Sequence, residues 1–236
     1  TISAGSGTDT IDAGDGTDTV NISQGLGTYD GAISNAEAVA ATLSATTGTI
    51  DMANLDVSTL TVSASAAVTT ATIKNAPNGA TLNVAEDLTL AGTTGTISAL
   101  SIDTVDSAAI TVNVLANANA AIKANTTFAG TVAVADATSV TVTTQGGSGV
   151  DNNLTHTFNA LNMDAVETTG LTINAAAYGG LNTGNIDGVD ALESLTVTAA
   201  DGTDPTHLAS FGQLTTEINR ATAAENAIQA DVDQNE

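Results

Sequence analysis

The 236-residue chain carries 26 acidic residues against 3 basic ones, a formal net charge of −23, and contains neither cysteine nor tryptophan. Lys74, Lys123 and Arg220 are too few to neutralise a phosphate backbone, which excludes nucleic-acid binding and disfavours an anionic membrane surface. Without cysteine there is no disulfide, thiolate metal site or thiol nucleophile, and no run of about 18 apolar residues could insert in a membrane.

The chain opens on an internal repeat, Ala4–Asp12 (AGSGTDTID) followed directly by Ala13–Asn21 (AGDGTDTVN). The copies agree at Ala4/Ala13, Gly5/Gly14, Gly7/Gly16, Thr8/Thr17, Asp9/Asp18 and Thr10/Thr19, with aliphatic Ile11 and Val20 at the eighth place. A nine-residue period means one structural unit stacked on itself, and the pattern fits the GGxGxDxUx β-helix repeat with Ala for the first Gly. Thr1-Ile2-Ser3 reads as the tail of an earlier copy, which predicts further repeats ahead of it. Glycine permits left-handed turn conformations and close approach of the backbone to a cation. The aspartate supplies a hard oxygen of the kind Ca²⁺ collects in sets of about 6–8. The alternative reading is a plain polar Gly/Asp turn.

These two nonapeptides resemble the RTX (hemolysin-type) calcium-binding β-roll. The resemblance implies Ca²⁺ as the bound ion, with Asp9 and Asp18 as ligands assisted by the carbonyls of Gly5, Gly7, Gly14 and Gly16. Asp15, in the second turn, and Asp151, in a later match, complete the candidate metal set. Turns on one side of a β-roll are two repeats apart. Complete sites therefore require partners ahead of Thr1 or in degenerate copies. Such a copy follows at Gly25-Leu26-Gly27-Thr28-Tyr29-Asp30, with Tyr29 inserted before the acid.

Beyond it, Asn35–Thr47 is alanine-rich and reads as strand rather than helix. From Asp51 to Ala199 short period-two pairs recur, including Leu60/Val62, Leu82/Val84, Leu88/Leu90, Leu100/Ile102, Val132/Val134, Leu171/Ile173 and Leu195/Val197. Each is bounded by Thr, Ser, Asn, Gly or Asp, the signature of strands between turns. Their spacing predicts two strands per coil of roughly 20 residues, with Thr as the preferred outward residue. The RTX-like hexapeptide returns at Gly146–Asp151 (GGSGVD) and more loosely at Asp187–Leu192 and Asp201–Asp204. Ala165–Ile173 and Leu192–Thr198 resemble the Thr-rich solenoid of bacterial RTX-type S-layer and giant cell-surface proteins. After Pro205, Phe211, Leu214, Ile218, Ala221, Ile228 and Val232 follow an a/d heptad seam. That seam predicts a C-terminal helix which either caps the solenoid or begins a coiled coil resembling phage and cyanobacterial surface fibres.

A catalytic reading finds little support. His156 and His207 are the only imidazoles, and neither stands in a recognisable triad or zinc motif. Exposed turn aspartates would titrate alike, whereas general acid–base pairs need unequal environments. No Lys follows Gly146–Gly149, which removes a phosphate-loop reading. The expected fold is all-β, a parallel β-solenoid with an RTX-like β-roll at 1–34, a Thr/Ala-rich solenoid at 35–204 and a short helix at 205–236. The expected function is a non-enzymatic, calcium-stabilised, secreted or cell-surface structural segment that associates with neighbouring copies. A virion or appendage fibre with a trimeric coiled coil and an adhesin recognising a cell-surface glycan are the alternatives.

Overall fold

A computed structural model describes residues 1–5, 7–84, 96–115, 127–146, 154–176 and 179–199. Within these, the chain order of strands begins β1 (Ile2–Ala4), β2 (Thr10–Asp12), β3 (Thr19–Gln24), β4 (Thr28–Tyr29), β5 (Ala32–Ser34), β6 (Ala38–Leu43), β7 (Thr47–Asp51) and β8 (Thr59–Ala64). It continues with β9 (Ala67–Ala76), β10 (Thr81–Val84), β11 (Thr96–Val114), β12 (Thr127–Thr144), β13 (Leu154–Asn162), β14 (Gly170–Ala175), β15 (Gly179–Asp187) and β16 (Ser194–Ala199).

Neighbouring strands pair in parallel throughout the described residues, so the chain must travel round a coil between partners. A front ladder runs β1-β3-β6-β8-β10, passes through the second halves of β11 and β12, and ends in β14 and β16. A back ladder runs β4-β7-β9, the first halves of β11 and β12, then β13 and β15. A short third ladder joins β2 to β5 and, through one bridge, Ile33 to Leu55. The result is an all-β, β-solenoid-like parallel roll.

Period-two alternation decides which residues fill it. On the front ladder Ile2, Val20, Val39, Leu60, Leu82, Val112, Val142, Ile173 and Val197 stand in one register. On the back ladder Tyr29, Ile50, Ile73, Ile102 and Val134 do the same. Both columns feed a single buried cluster, and a fully buried aliphatic side chain such as Leu82 contributes about 1.5–3 kcal/mol. Ala38–Leu43 is strand, as its flanking Thr and Gly suggest. Ile2 opposes Val20, so the two nonapeptides together make one coil.

Coil size is not constant. Bonds between neighbouring coils span 22 residues at Thr8–Asp30 and 19 at Asp18–Glu37, but 30 at Asn113–Asn83 and 31 at Thr168–Ala137. The expectation of roughly 20 residues per coil therefore holds for the early coils and fails for the later ones. The extra length enters between a front strand and the following back strand, at 85–95, 116–126 and 147–153, outside the described residues.

The sheet passes through the 34/35 boundary without a break, since β3 pairs β6. The chain divides into compact units Thr1–Ala200 and Asp201–Glu236, and every described residue belongs to the first. The heptad segment, Leu88/Leu90, His207, Asp201–Asp204 and Asp151 with most of its hexapeptide lie outside the described residues.

Candidate cation-binding turns

Asp9 precedes β2 and Asp18 precedes β3, so the two nonapeptides turn the chain on alternate sides of the roll. Gly7 and Gly16, at equivalent places, adopt φ of 125° and 139°, a region nearly closed to residues with a Cβ. The shared spelling of the two repeats thus reflects one turn geometry used twice, not one shared site.

Each turn meets a degenerate partner one coil on. Over Gly7-Thr8-Asp9 lies the stretch ending in Asp30-Gly31-Ala32: the Thr8 hydroxyl donates to Asp30 Oδ1 at 2.7 Å and Ala32 N–H donates to the Asp9 carbonyl at 2.8 Å. Over Gly14–Asp18 lies Asn35-Ala36-Glu37: Asp18 N–H donates to the Glu37 carboxylate, and Glu37 N–H to the Asp18 carbonyl at 3.0 Å. Asp15 is exposed at the tip of this turn. Glu37 was not singled out in the sequence, because it belongs to no Gly/Asp motif; counting one coil forward from Asp18 would have found it.

Asp12 does a different task. It accepts from Gly14 N–H at 3.1 Å and Asn35 Nδ2 at 2.7 Å, and these bonds, the Asn35 one first, hold its carboxyl below the usual range. The same device returns at Asp51, which accepts from Ala53 N–H at 2.9 Å and Asn75 Nδ2 at 2.8 Å. Asn35 and Asn75 have φ of 56° and 52°, which asparagine tolerates better than most residues.

Looking along the roll, the stretch that leads into each part of the front ladder, a turn in most coils and mid-strand in β11 and β12, carries an acid in most described coils. Asp18, Glu37, Asp56, Asp106, Asp136, Asp164 with Glu167, and Glu193 form this border, interrupted only at Pro77–Ala80. Its crowded part has electrostatic consequences. Loss of solvation, then a hydrogen bond and charge from Asp103 and the charges of Asp164 and Asp106, raise the Asp136 pKa. Loss of solvation and the charges of Asp136, Asp164 and Asp106 raise that of Glu167. Asp164 moves the other way, because Val166 and Glu167 N–H groups donate to it at 2.8 and 3.1 Å. Among the described residues no three His, Asp or Glu side chains already close into a metal cage.

The front face contrasts with that border. Thr59, Thr81, Thr111, Thr141, Thr172 and Thr196 stand in one outward column. Beside it run Thr61, Asn83, Asn113, Thr143, Asn174 and Thr198, where Asn113 Nδ2 donates to Asn83 Oδ1 at 3.0 Å and Asn83 Nδ2 to Thr61 Oγ1 at 3.2 Å. Among the described residues no charged side chain stands on β1, β3, β6, β8, β10, β14 or β16, nor on 108–114 of β11 and 137–144 of β12, which continue the front ladder.

His156 is buried, with Nε2 2.9 Å from the Gln145 carbonyl. Burial lowers its pKa despite that bond, which fits the strand residue expected at this place. No described helix is long and apolar enough to cross a membrane. The chain matches no family model, and neither a curated protein nor a solved structure is significantly similar to it.

Proposed function

We propose that this chain is a non-enzymatic structural segment of a bacterial cell-surface assembly, a parallel roll whose acidic turns are ordered by Ca²⁺. The observation that carries the reading is the acid border, which brings carboxylates of neighbouring coils to one side of the roll, with Asp103, Asp106 and Asp164 close enough to act on Asp136, and Asp106, Asp136 and Asp164 on Glu167. Parallel pairing brings neighbouring strands within about 4.8 Å of each other, so like charges repeat at short range with no basic side chain interposed. Bound Ca²⁺ would turn that repulsion into bridging, and binding to the native state alone adds stability by mass action. Asp9 with Asp30, and Asp18 with Glu37, supply carboxylates from consecutive coils in the nonapeptide turns. The uncharged front face supports association with neighbouring copies, since two chains of net charge −23 meet there with least repulsion.

Calorimetric titration of chelator-stripped protein with Ca²⁺ and with Mg²⁺ tests this reading, alongside circular dichroism. Heat selective for Ca²⁺ with a gain of β signal is expected. No heat, with the β signal already complete, would sink it. The heptad spacing of Phe211, Leu214, Ile218, Ala221, Ile228 and Val232 favours a second reading, a fibre that continues into a trimeric coiled coil. Light scattering that shows a trimer abolished by Ile218→Asp would move that reading to first place.

A further inference from the structure

The first turn of the roll holds a set of buried oxygens that the nonapeptide resemblance does not supply. Tyr29 is 0% exposed and Gln24 4%, yet the Tyr29 hydroxyl and Gln24 Oε1 have no hydrogen-bond partner, and neither does the inaccessible Oδ2 of Asp9. Among the described residues only Asn162 Oδ1 shares this condition, so three of the four such atoms belong to the first two coils. Gln24 and Tyr29 flank the Gly25–Thr28 turn, and Asp9 lies one coil away beneath Gly31, where Ala32 N–H reaches its carbonyl.

Gly31 shows how closely the Tyr29 hydroxyl approaches the backbone of Asp9. A methyl there would lie 2.6 Å from both the Asp9 carbonyl oxygen and the Tyr29 hydroxyl. Glycine is needed at this inward position because the tyrosine ring and the aspartate occupy the space a side chain would fill. Gln24 Nε2 lies 3.4 Å from the Leu26 carbonyl, which uses the donor end of the amide and leaves its oxygen over.

Unpartnered buried polar groups are destabilising, so three together call for an occupant. A carboxylate and an amide oxygen can only accept; what fills the space must be a donor or a cation. Charge favours the cation. Asp9 and Asp30 both act on Tyr29 and, with burial as the larger cause, push its hydroxyl pKa up, and no basic side chain belongs to these two coils.

We propose that Asp9 Oδ2, Gln24 Oε1 and the Tyr29 hydroxyl line a buried pocket for a hard cation, Ca²⁺, inside the first turn. This rests on Asp9 as a calcium ligand and adds two ligands that belong to this chain. The hydroxyl binds as a neutral oxygen, so no proton need leave it.

The chain has no tryptophan and two tyrosines, Tyr29 and Tyr178, which makes Tb³⁺ luminescence a direct reporter. Exciting tyrosine in the full chain is expected to give Tb³⁺ emission that Ca²⁺ displaces, that Tyr178→Phe keeps and that Tyr29→Phe loses. Gln24→Leu should weaken the Tb³⁺ affinity while the circular dichroism spectrum stays unchanged. Tyr29→Phe retains the ring and its packing, so loss of emission from the folded variant places the ion within transfer range of Tyr29; an unchanged Tb³⁺ affinity in Gln24→Leu would overturn the pocket. Calorimetric Ca²⁺ binding with no emission, or with emission that only Tyr178→Phe removes, would overturn the pocket and leave the calcium-ordered roll standing. Absence of Ca²⁺ heat as well would overturn both.

Discussion

The first two coils and those from β8 to β12 share one parallel ladder but fill it differently. From Leu60 to Val142 the front inward column is aliphatic and nearly inaccessible, and the back column matches it with Ile73, Ile102 and Val134. In the first coils the inward positions include Asp9, Gln24, Tyr29 and Gly31, whose missing side chain leaves room for the tyrosine ring. An aliphatic coil is stabilised by burial alone. A polar coil must satisfy its oxygens, and it depends on whatever ion or donor reaches them. The regions differ in what they need from solution, not in how their strands pair.

Four substitutions would break or sharpen that contrast. Leu82→Ala, in the aliphatic region, should cost about 2–5 kcal/mol in urea unfolding, equally in Ca²⁺ and in chelator. Gly31→Ala, which drives a methyl against the Asp9 carbonyl and the Tyr29 hydroxyl, should cost about 1–3 kcal/mol. Hydrogen exchange should show its effect concentrated in β1–β5. Asp9→Ala should lower stability in Ca²⁺ by on the order of 1 kcal/mol and raise it in chelator, because it removes a buried carboxylate that then has no partner. A loss of the whole fold in Ca²⁺ would show that the two regions unfold as one unit.

The smallest effect concerns pH. The Asp136 pKa is raised on folding, so the folded chain holds that proton more tightly and loses stability as pH rises through the carboxylate range, from about pH 4 upward. Asp136→Asn should therefore raise the melting temperature at neutral pH in chelator and change it little below about pH 4. Asp12 and Asp164, with lowered pKa values, contribute stability that is lost as pH falls through their range. His156, also lowered, adds a loss below about pH 6.5. Melting curves in chelator across this range separate the three trends.

Much of the architecture could be read in the chain. Leu60/Val62, Leu82/Val84 and Leu171/Ile173 have the inward alternation their spelling suggests, and Ile2 opposing Val20 makes two nonapeptides one coil. The candidate metal residues were legible as turn chemistry, but their companions were not. Glu37 meets Asp18 only because one coil happens to be 19 residues long there, and Asp30 meets Thr8 across 22. Between Leu82 and Val112, and again between Val112 and Val142, one coil takes 30 residues, a change that leaves strand spelling untouched.

What the sequence determined by itself was therefore local: strand alternation, the glycine turns and the excess of acid. Those features depend on residues a few places apart, where backbone sterics and period-two exposure decide the outcome. Only the tertiary structure decided which acids stack into a border, which Thr and Asn residues make an uncharged face, and that Asp9, Gln24 and Tyr29 leave their oxygens unpaired in the interior. Each of these depends on coil length, and coil length is fixed by how successive turns close, which no short motif records.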